Sequence, residues 1–333
     1  MEENHVEKFS KESLSIREIK EDFFLENKKL LDEAISINKF YISQKKRKYC
    51  KNCGEEIKQQ DFVSFGVPYS ICEKCGHVNG MYEDSEEFVR YLYADDQGDN
   101  YKKAYLKNYE KRVNSIYLPK VDFLSKVIGD NYSVRDVGCG GGHFVSACEI
   151  RGIKAKGIDT SQSLIELGKS KLHTNTLELG DIKSFEDYIE NSTSVVSMIG
   201  VLEHLRTPNK AIEAFKRSEA KYLYISVPLF GLSVFIEHVF PDVFPRHLRG
   251  PHTHLYTKES LKYLEKKHDL KIIGEWWFGL DIMDLYRSVC TQTSGSERFT
   301  KSLKPILGDN IDELQHVLDK NKVCSEVHLV FSK

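Results

Sequence analysis

From residue 133 onward, short apolar runs alternate with segments whose apolar positions recur at helical spacing. Strands that alternate with helices indicate a parallel sheet with helices packed on both faces. We therefore predict an α/β fold built on a mostly parallel sheet of seven strands. The predicted strands are residues 133–137, 153–158, 176–179, 195–199, 222–227, 272–278 and 327–331.

The first part of the chain has a different pattern, because residues 13–48 contain neither Pro nor Gly. Their apolar positions at roughly helical spacing predict one long helix or two. These positions are Ile16, Ile19, Phe23, Leu30, Ala34, Ile37 and Tyr41. Residues 84–131 are also predicted to be helical, with a polar break at 95–100. We divide the chain into a helical segment (1–48), a small module (49–83) and the α/β domain (84–333).

The small module contains two Cys-x-x-Cys pairs with 18 residues between them, formed by Cys50, Cys53, Cys72 and Cys75. Two turns of this kind present four thiolates to one tetrahedral zinc ion. Gly54 and Gly76 follow the pairs, where such a turn needs a positive φ. Disulfides and free thiols are the alternatives. Because four cysteines complete the coordination shell, we expect a structural Zn²⁺ in a zinc-ribbon-like module. The other four cysteines show no pairing.

The composition of the chain argues against nucleic-acid binding and against insertion into a membrane. Apolar residues make up 40% of the chain, charged residues 29%, and the formal net charge is −2. This balance argues against a nucleic-acid partner, and the basic run at 45–48 is interpreted as a solvated helix end. The longest apolar stretch, 222–236, is interrupted by Pro228 and Gly231 and is shorter than the roughly 20 residues that span a bilayer. We expect a cytoplasmic protein without stable membrane insertion; the oligomeric state is left open.

A glycine-rich turn follows the first predicted strand, with the pattern Asp-x-Gly-x-Gly-x-Gly formed by Asp136, Gly138, Gly140 and Gly142. The dinucleotide pattern Gly-x-Gly-x-x-Gly fails because residue 143 is His, and no Gly-Lys-Ser/Thr follows as in a P-loop. Without Cβ atoms, the loop allows its backbone to lie against a ligand. The Asp136 carboxylate suits a cationic ligand or an ammonium group better than a pyrophosphate.

Two further acidic residues follow the next two strands. Asp159 ends the second strand, 19 residues beyond Gly140, where a carboxylate can accept hydrogen bonds from both hydroxyls of a ribose. Asp181 follows the third strand and can accept from an exocyclic adenine amine. The loop and the two acids, in this order, are more specific than a glycine loop alone.

These segments resemble the successive motifs of class I S-adenosylmethionine-dependent methyltransferases, over residues 110 to about 280. They are 134–144, 157–159, 180–181 and Val201-Leu202-Glu203-His204. The resemblance implies a Rossmann-like methyltransferase sheet with S-adenosylmethionine as cofactor. It further implies that Asp136 and the three glycines border the methionine part, Asp159 the ribose and Asp181 the adenine. The segment 200–204, with Gly200 and Glu203, would line the cofactor. A Rossmann-like domain without catalysis is the alternative.

Family members that methylate DNA bases or glutamine amides carry Asn/Asp-Pro-Pro-Tyr at the fourth strand. This chain has Gly200-Val201-Leu202-Glu203-His204 there, which leaves O-, C- or small-amine methylation. Residues 252–261 also resemble a His-x-His-x-(Phe/Tyr)-(Ser/Thr)-x-x-Ser-Leu segment that is common in the family.

A long connection at about 229–257 is interpreted as a lid or substrate insertion. His204, His252 and His254 are the candidate general bases, because histidine titrates near neutral pH. His252 and His254 would face the same side if their segment is extended. The alternatives are a divalent-metal site and purely structural histidines. Arg246 and Arg249 would suit a phosphate group.

The arrangement of helix, zinc ribbon, catalytic core and residues 275–281 resembles bacterial methyltransferases of surface polysaccharide biosynthesis. We therefore expect O-methylation of a sugar, nucleotide-sugar or glycan-linked group. Trp276, Trp277 and Phe278 would either stack on a sugar or form a buried strand. One alternative is methylation of a quinone-like or other small metabolite. Another is an RNA- or protein-binding zinc ribbon attached to a non-catalytic methyltransferase domain.

Overall fold

The computed structural model describes residues 5–13, 19, 25–93, 106, 108–172, 175–192 and 194–333. Its largest sheet has eight strands in the order β1-β11-β12-β9-β8-β5-β6-β7. The bounds are β1 Val6–Phe9, β5 Ser133–Val137, β6 Lys154–Asp159, β7 Leu177–Leu179, β8 Val195–Ile199, β9 Tyr222–Pro228, β11 Lys271–Phe278 and β12 Glu326–Ser332. Strands β5 to β9 run parallel, and β12 is antiparallel to both of its neighbours. The α/β prediction is therefore confirmed.

The strand count of seven needs a correction, because β1 adds an eighth strand at the edge of the sheet. β1 pairs in parallel with β11, and the Nζ of Lys8 lies 3.7 Å from the centre of the Trp276 ring. Four residues without an apolar run give no strand signal, since an edge strand is held mainly by backbone hydrogen bonds. Of the predicted N-terminal helical positions, Ile16 and Phe23 lie outside the described residues, as does the break at 95–100.

Helices cover both faces of this sheet, and apolar side chains from the two faces form two large buried clusters. The helices are α1 Asn27–Ile42, α2 Glu86–Tyr93, α3 Tyr109–Arg112, α4 Leu118–Ile128, α5 His143–Ile150, α6 Gln162–Leu172, α7 Ile182–Glu190, α8 Pro208–Arg217, α9 Leu232–Val239, α10 Lys258–Lys267, α11 Asp281–Gln292, α12 Glu297–Ile306 and α13 Ile311–Lys320. A π-helical turn, Val113–Tyr117, joins α3 to α4. Among the described helices, none combines the length and the apolar character that crossing a bilayer requires.

The tryptophan-containing segment is a buried strand. Trp276, Trp277 and Phe278 lie in β11 and are only 1–3% exposed. The indole of Trp276 donates a hydrogen bond to the carbonyl oxygen of Ser10. Sugar stacking by these three side chains is therefore excluded in this conformation, because their ring faces are packed inside the protein.

A second, antiparallel sheet joins the cysteine module to the long insertion. Its strands are β2 Phe62–Ser64, β3 Val67–Ile71, β4 Val78–Gly80 and β10 His254–Leu255, in the order β10-β4-β3-β2. β10 belongs to the insertion and pairs with β4. Side chains of α1, α2 and α9 share one apolar cluster with this sheet. The insertion is therefore a packed part of the structure, and it brings the module next to the C-terminal edge of the main sheet.

Candidate active site

The glycine loop leaves β5 with three positive φ angles, +69° at Gly138, +52° at Gly140 and +73° at Gly142. A Cβ atom at Gly138 would lie 2.6 Å from Val201, and one at Gly142 would lie 2.8 Å from two leucine methyl groups. A Cβ at Gly140 would meet nothing closer than 3.9 Å. Gly138 and Gly142 are therefore required by packing, whereas Gly140 presents open backbone to a ligand.

Asp159 supports this loop from the end of β6. Its Oδ2 accepts a hydrogen bond from the Gly140 amide at 2.8 Å, and its Oδ1 accepts one from the Ser161 amide at 2.8 Å. Burial raises the pKa of Asp159, although these two hydrogen bonds lower it. Because each carboxylate oxygen has a second lone pair, ribose hydroxyls can still be accepted.

Asp136 lies beneath the loop and is only 3% exposed. Its Oδ1 accepts a hydrogen bond from the Ser197 hydroxyl on β8 at 2.6 Å. Burial raises its pKa to about 7, although Ser197 and the nearby Lys120 act in the opposite direction. The side chain thus ties two strands together under the predicted methionine site.

Asp181 has a structural role that the sequence analysis missed. It caps α7, where its Oδ1 accepts from the Ser184 amide at 2.7 Å, and the Asp181 amide donates to the Ser184 hydroxyl at 2.7 Å. The spacing Asp-x-x-Ser before a helix was the available signal. The carboxylate is exposed at the strand edge, so an adenine contact stays a prediction.

Tyr109 also supports the loop, and no pattern in the sequence indicated it. The Tyr109 hydroxyl donates to the Gly141 carbonyl oxygen at 3.0 Å, and its ring lies 4.2 Å from that of His143. The neighbouring π-helical turn brings Tyr117 against the same imidazole at 5.3 Å. Irregular helical turns of this kind are frequent at functional sites.

Glu203 and His204 lie in a short 3-10 turn, Leu202–His204, after β8 and Gly200, whose φ is +69°. Glu203 is 3% exposed, and burial raises its pKa to about 8. Its Oε2 accepts no hydrogen bond from any described residue. The Nε2 of His204 lies 3.9 Å from the Glu203 Oε1.

His252 joins this pair from the insertion. The rings of His204 and His252 are 4.9 Å apart, and Glu203, His204 and His252 each place one donor atom within 4.8 Å of the other two. Burial lowers the pKa of His204 to about 4 and that of His252 well below its usual value. Both imidazoles are therefore neutral at pH 7.

The third candidate base, His254, lies elsewhere. It is fully buried in β10, and its Nδ1 is 2.8 Å from the Nε2 of His77 in the cysteine module. His252 and His254 have different partners because the strand begins only at His254. His254 therefore lies apart from His204 and His252 and is less accessible than they are, and its contact with His77 joins the insertion to the module.

The four cysteines come together as the sequence predicts. The sulfur atoms of Cys50 and Cys75 are 3.7 Å apart, those of Cys53 and Cys72 are 3.4 Å apart, and all four lie within 4.8 Å of one another. A tetrahedral zinc with Zn–S bonds of about 2.3 Å needs sulfur separations of about 3.8 Å. Gly54 and Gly76 have the expected positive φ, and the thiols form no disulfide. The cluster fits a zinc ion.

Two basic residues beside the first cysteines, Arg47 and Lys51, are buried, whereas Lys45, Lys46 and Lys48 of the basic run are exposed. Arg47, assigned to a solvated helix end, is 5% exposed and pairs with the buried Asp84. Lys51, between Cys50 and Cys53, pairs with the same carboxylate. Its Nζ also donates to the Leu205 carbonyl oxygen at 2.6 Å, directly after the Glu203–His204 turn. A local basic pattern could not reveal these distant partners.

The two arginines of the insertion differ in their surroundings. Arg246 forms an ion pair with the buried carboxylate of Asp284 at 3.0 Å, and the Ser233 hydroxyl donates to the same carboxylate. Arg249 packs over the ring of Phe244 at 5.5 Å. Because its charge is already balanced by Asp284, Arg246 is a poor candidate for binding a phosphate group.

The chain is similar in sequence to known methyltransferases. Two curated relatives are ubiquinone biosynthesis O-methyltransferases. That of Alkalilimnicola ehrlichii is 26% identical over 115 residues, covering 32% of this chain and 46% of the relative. That of Dechloromonas aromatica is 29% identical over 116 residues, which cover 32% of this chain and 48% of the relative. The chain thus spans about half the length of these relatives.

Similar solved structures include a SAM-dependent methyltransferase from Archaeoglobus fulgidus, with 17% identity, a TM-score of 0.42, and coverage of 69% of this chain and 100% of that chain. Another is the magnesium protoporphyrin IX methyltransferase of Synechocystis PCC 6803 with bound SAH. It has 11% identity and a TM-score of 0.48, and the match covers 75% of this chain and 100% of that chain. The methyltransferase domain family matches residues 109–275, half of the chain. The chain therefore belongs to this family and contains a class I S-adenosylmethionine-dependent methyltransferase domain.

Proposed function

We propose that the protein transfers the methyl group of S-adenosylmethionine to a hydroxyl oxygen of a small molecule. The main support for this proposal is that the candidate cofactor-binding residues and the candidate bases lie at the same edge of the sheet. The open backbone of Gly140, the Asp159 carboxylate and the Glu203–His204–His252 group all lie at the C-terminal ends of β5, β6 and β8. Ligands of parallel α/β sheets bind at this edge.

The cofactor would lie along the glycine loop. Gly138 and Gly142 allow the loop to take its shape, Gly140 provides the close backbone contact, and Asp159 accepts the ribose hydroxyls. Asp136 stabilises the loop from below, and Asp181 lies on the adenine side. Gly200 and Glu203 line the opposite wall. This assignment is supported by the order of these residues along the sheet edge and by the accessible backbone at Gly140.

Methyl transfer to a hydroxyl requires alignment and the removal of one proton, since the sulfonium is already an activated leaving group. His204 and His252 are the candidate bases. A hydrogen bond from each Nδ1 to a backbone carbonyl leaves Nε2 with the lone pair that accepts a proton. Their lowered pKa values make both histidines weak bases, and a bound acceptor would need to raise these pKa values.

For the acceptor, we favour a quinone-like or other small metabolite with an acidic hydroxyl. The two curated relatives are named for ubiquinone biosynthesis, and a phenolic hydroxyl suits a weak base. A sugar or glycan-linked hydroxyl of surface polysaccharide biosynthesis is the second candidate. Its support is the helix and cysteine module that precede the domain, whereas the buried tryptophans contribute nothing to it.

We further propose that the cysteine module holds a structural Zn²⁺ and supports the active site. The four sulfurs have the separations that tetrahedral coordination needs, and Lys51 connects them to the turn that carries His204. An RNA-binding role has weaker support. Arg47, one of the four basic residues at 45–48, forms a buried ion pair with Asp84 and is not available to a phosphate group.

The test is a transfer assay with isotopically labelled S-adenosylmethionine against dihydroxyphenols, hydroquinones and nucleotide-sugars. We expect label in a phenolic ether, with cofactor binding seen by calorimetry. Label in a nucleotide-sugar would favour the second candidate. Absence of any calorimetric heat with S-adenosylmethionine and S-adenosylhomocysteine would refute the proposed function. Separate His204→Ala and His252→Ala variants identify the base, because a candidate whose variant keeps full turnover is not the base.

A further inference from the structure

The Glu203 carboxylate is buried without a full set of partners. It is 3% exposed, and its Oε2 receives no hydrogen bond from any described residue. Its neighbour His204 approaches Oε1 only to 3.9 Å, which is too long for a hydrogen bond. A buried carboxylate normally has hydrogen-bond donors or a bound cation, and the described residues give this oxygen neither.

In both imidazoles, Nδ1 contacts a backbone carbonyl oxygen. The Nδ1 of His204 bonds to the Pro251 carbonyl oxygen at 3.0 Å, and the Nδ1 of His252 bonds to the His247 carbonyl oxygen at 2.9 Å. Because a carbonyl only accepts, each Nδ1 carries the hydrogen and each Nε2 carries the lone pair. A histidine that donates from one nitrogen to a carbonyl is oriented as a metal ligand through the other.

The loop that orients both histidines is itself held in place. The buried carboxylate of Glu237 in α9 accepts from the amides of Arg246, His247 and Leu248 at 2.6, 2.7 and 3.0 Å. This anchors the loop at residues 246–248, whose His247 carbonyl orients His252. The donor atoms of Glu203, His204 and His252 are thus arranged before any ligand arrives, within 4.8 Å of one another.

From this geometry we propose that Glu203, His204 and His252 bind a divalent first-row transition metal, such as Mn²⁺ or Fe²⁺, through one carboxylate oxygen and two Nε2 atoms. Two histidines and one carboxylate leave further coordination positions open. These positions are accessible from the side of His204 and His252, which are partly exposed, whereas Glu203 is buried. This site differs from the four-cysteine cluster in ligand type, since it contains no thiolate.

The role of this metal rests on the proposed function. An acceptor hydroxyl that binds the metal loses its proton to solvent more easily. The resulting oxygen anion attacks the methyl carbon, an O–CH₃ bond forms and the S⁺–CH₃ bond breaks. The sulfur keeps the bonding electron pair and becomes the neutral thioether of S-adenosylhomocysteine. In this arrangement the two histidines hold a cation instead of removing the proton.

The experiment titrates Mn²⁺ into the full-length protein with its cysteine module zinc-loaded, following free Mn²⁺ by electron paramagnetic resonance. Mn²⁺ is chosen because it prefers oxygen and nitrogen ligands to thiolates, so the cysteine cluster does not compete. We expect one Mn²⁺ per chain in the wild type. Glu203→Gln and His252→Ala should each bind it at least about ten-fold more weakly, because loss of even an outer-shell partner of a metal ligand weakens binding by about 10- to 100-fold.

A matched control is His5→Ala. His5, Glu7 and Glu275 form another group with metal-ligand spacing at the surface, with His5 and Glu7 more than 40% exposed. This variant should bind Mn²⁺ as the wild type does. Unchanged Mn²⁺ binding in Glu203→Gln, loss of binding in His5→Ala, or no binding in the wild type would each overturn the proposal. Glu203→Gln preserves shape, and its thermal unfolding shows that it folds.

Calorimetry with S-adenosylmethionine on the same samples separates this inference from the proposed function. Cofactor binding without Mn²⁺ binding overturns only the metal site. Mn²⁺ binding without cofactor binding supports the metal site and refutes the methyl-transfer proposal.

Discussion

The Nζ of Lys51 donates a hydrogen bond to the carbonyl oxygen of Leu205 over 2.6 Å. Lys51 lies between the first two cysteines, and Leu205 directly follows the turn with Glu203 and His204. One side chain therefore joins the candidate zinc cluster to the candidate active site. The cysteine module is therefore in direct contact with the turn that carries two of the candidate active-site residues.

Replacing Lys51 tests this connection. In Lys51→Met, the carboxylate of Asp84 keeps Arg47 but loses one of its two buried cations, and the turn loses its donor. We expect a loss of about 3–5 kcal/mol in the free energy of unfolding, measured in urea. Turnover should fall while zinc content stays at one per chain. Lys48→Met, on an exposed basic residue nearby, is the control and should change neither quantity.

Removal of a cysteine tests the metal. Serine is a poor zinc ligand, so Cys75→Ser should lose most of its zinc, measured by elemental analysis. The melting temperature should fall by several degrees, because metal binding contributes to the folding of so small a module. Cys290→Ser removes a free thiol outside the cluster and should keep both values. Full zinc content in Cys75→Ser would contradict the coordination that we propose.

Gly140→Ala tests the contact between loop and cofactor. The φ of +52° makes alanine cost roughly 1 kcal/mol in stability, but its Cβ meets no atom closer than 3.9 Å. It would instead project toward the bound ligand, and calorimetry should show at least ten-fold weaker S-adenosylmethionine binding. Gly152→Ala, with a φ of +73° and open surroundings, carries the same strain away from the site. Equal affinities in the two variants would argue against a cofactor at Gly140.

The raised pKa of Asp136 predicts a pH dependence. Its pKa is about 7 in the folded protein, compared with about 3.9 in an unfolded chain. Between these values the folded state holds one more proton, so the contribution of Asp136 to stability falls as the pH rises from about 4 to 7.

Asp136→Asn removes this titration and retains an oxygen that accepts from Ser197. Its free energy of unfolding relative to the wild type should therefore rise between pH 5 and pH 8. The upper bound of this rise is about 2.6 kcal/mol, because about two of the roughly three pKa units of the shift lie between pH 5 and pH 7. Urea unfolding at the two pH values measures it, and a difference that does not change with pH would show that Asp136 is ionised throughout.

Much of the fold was predictable because its signals are local. The predicted strands at 133–137 and 195–199 match β5 and β8 residue for residue. The glycine positions with positive φ and the clustering of four cysteines also followed from spacing alone. Backbone conformation and metal geometry depend on residues that are close in sequence, so a single chain reveals them.

The sequence by itself thus determined the α/β class, the glycine loop, the acids at the strand ends and the four-cysteine cluster. Only the tertiary structure decided that β1 extends the sheet, that His252 joins Glu203 while His254 joins His77, and that Lys51 reaches Leu205. The physical reason is that these contacts connect residues more than 40 positions apart. Their partners are selected by packing and by the burial of charge, neither of which leaves a periodic pattern along the chain.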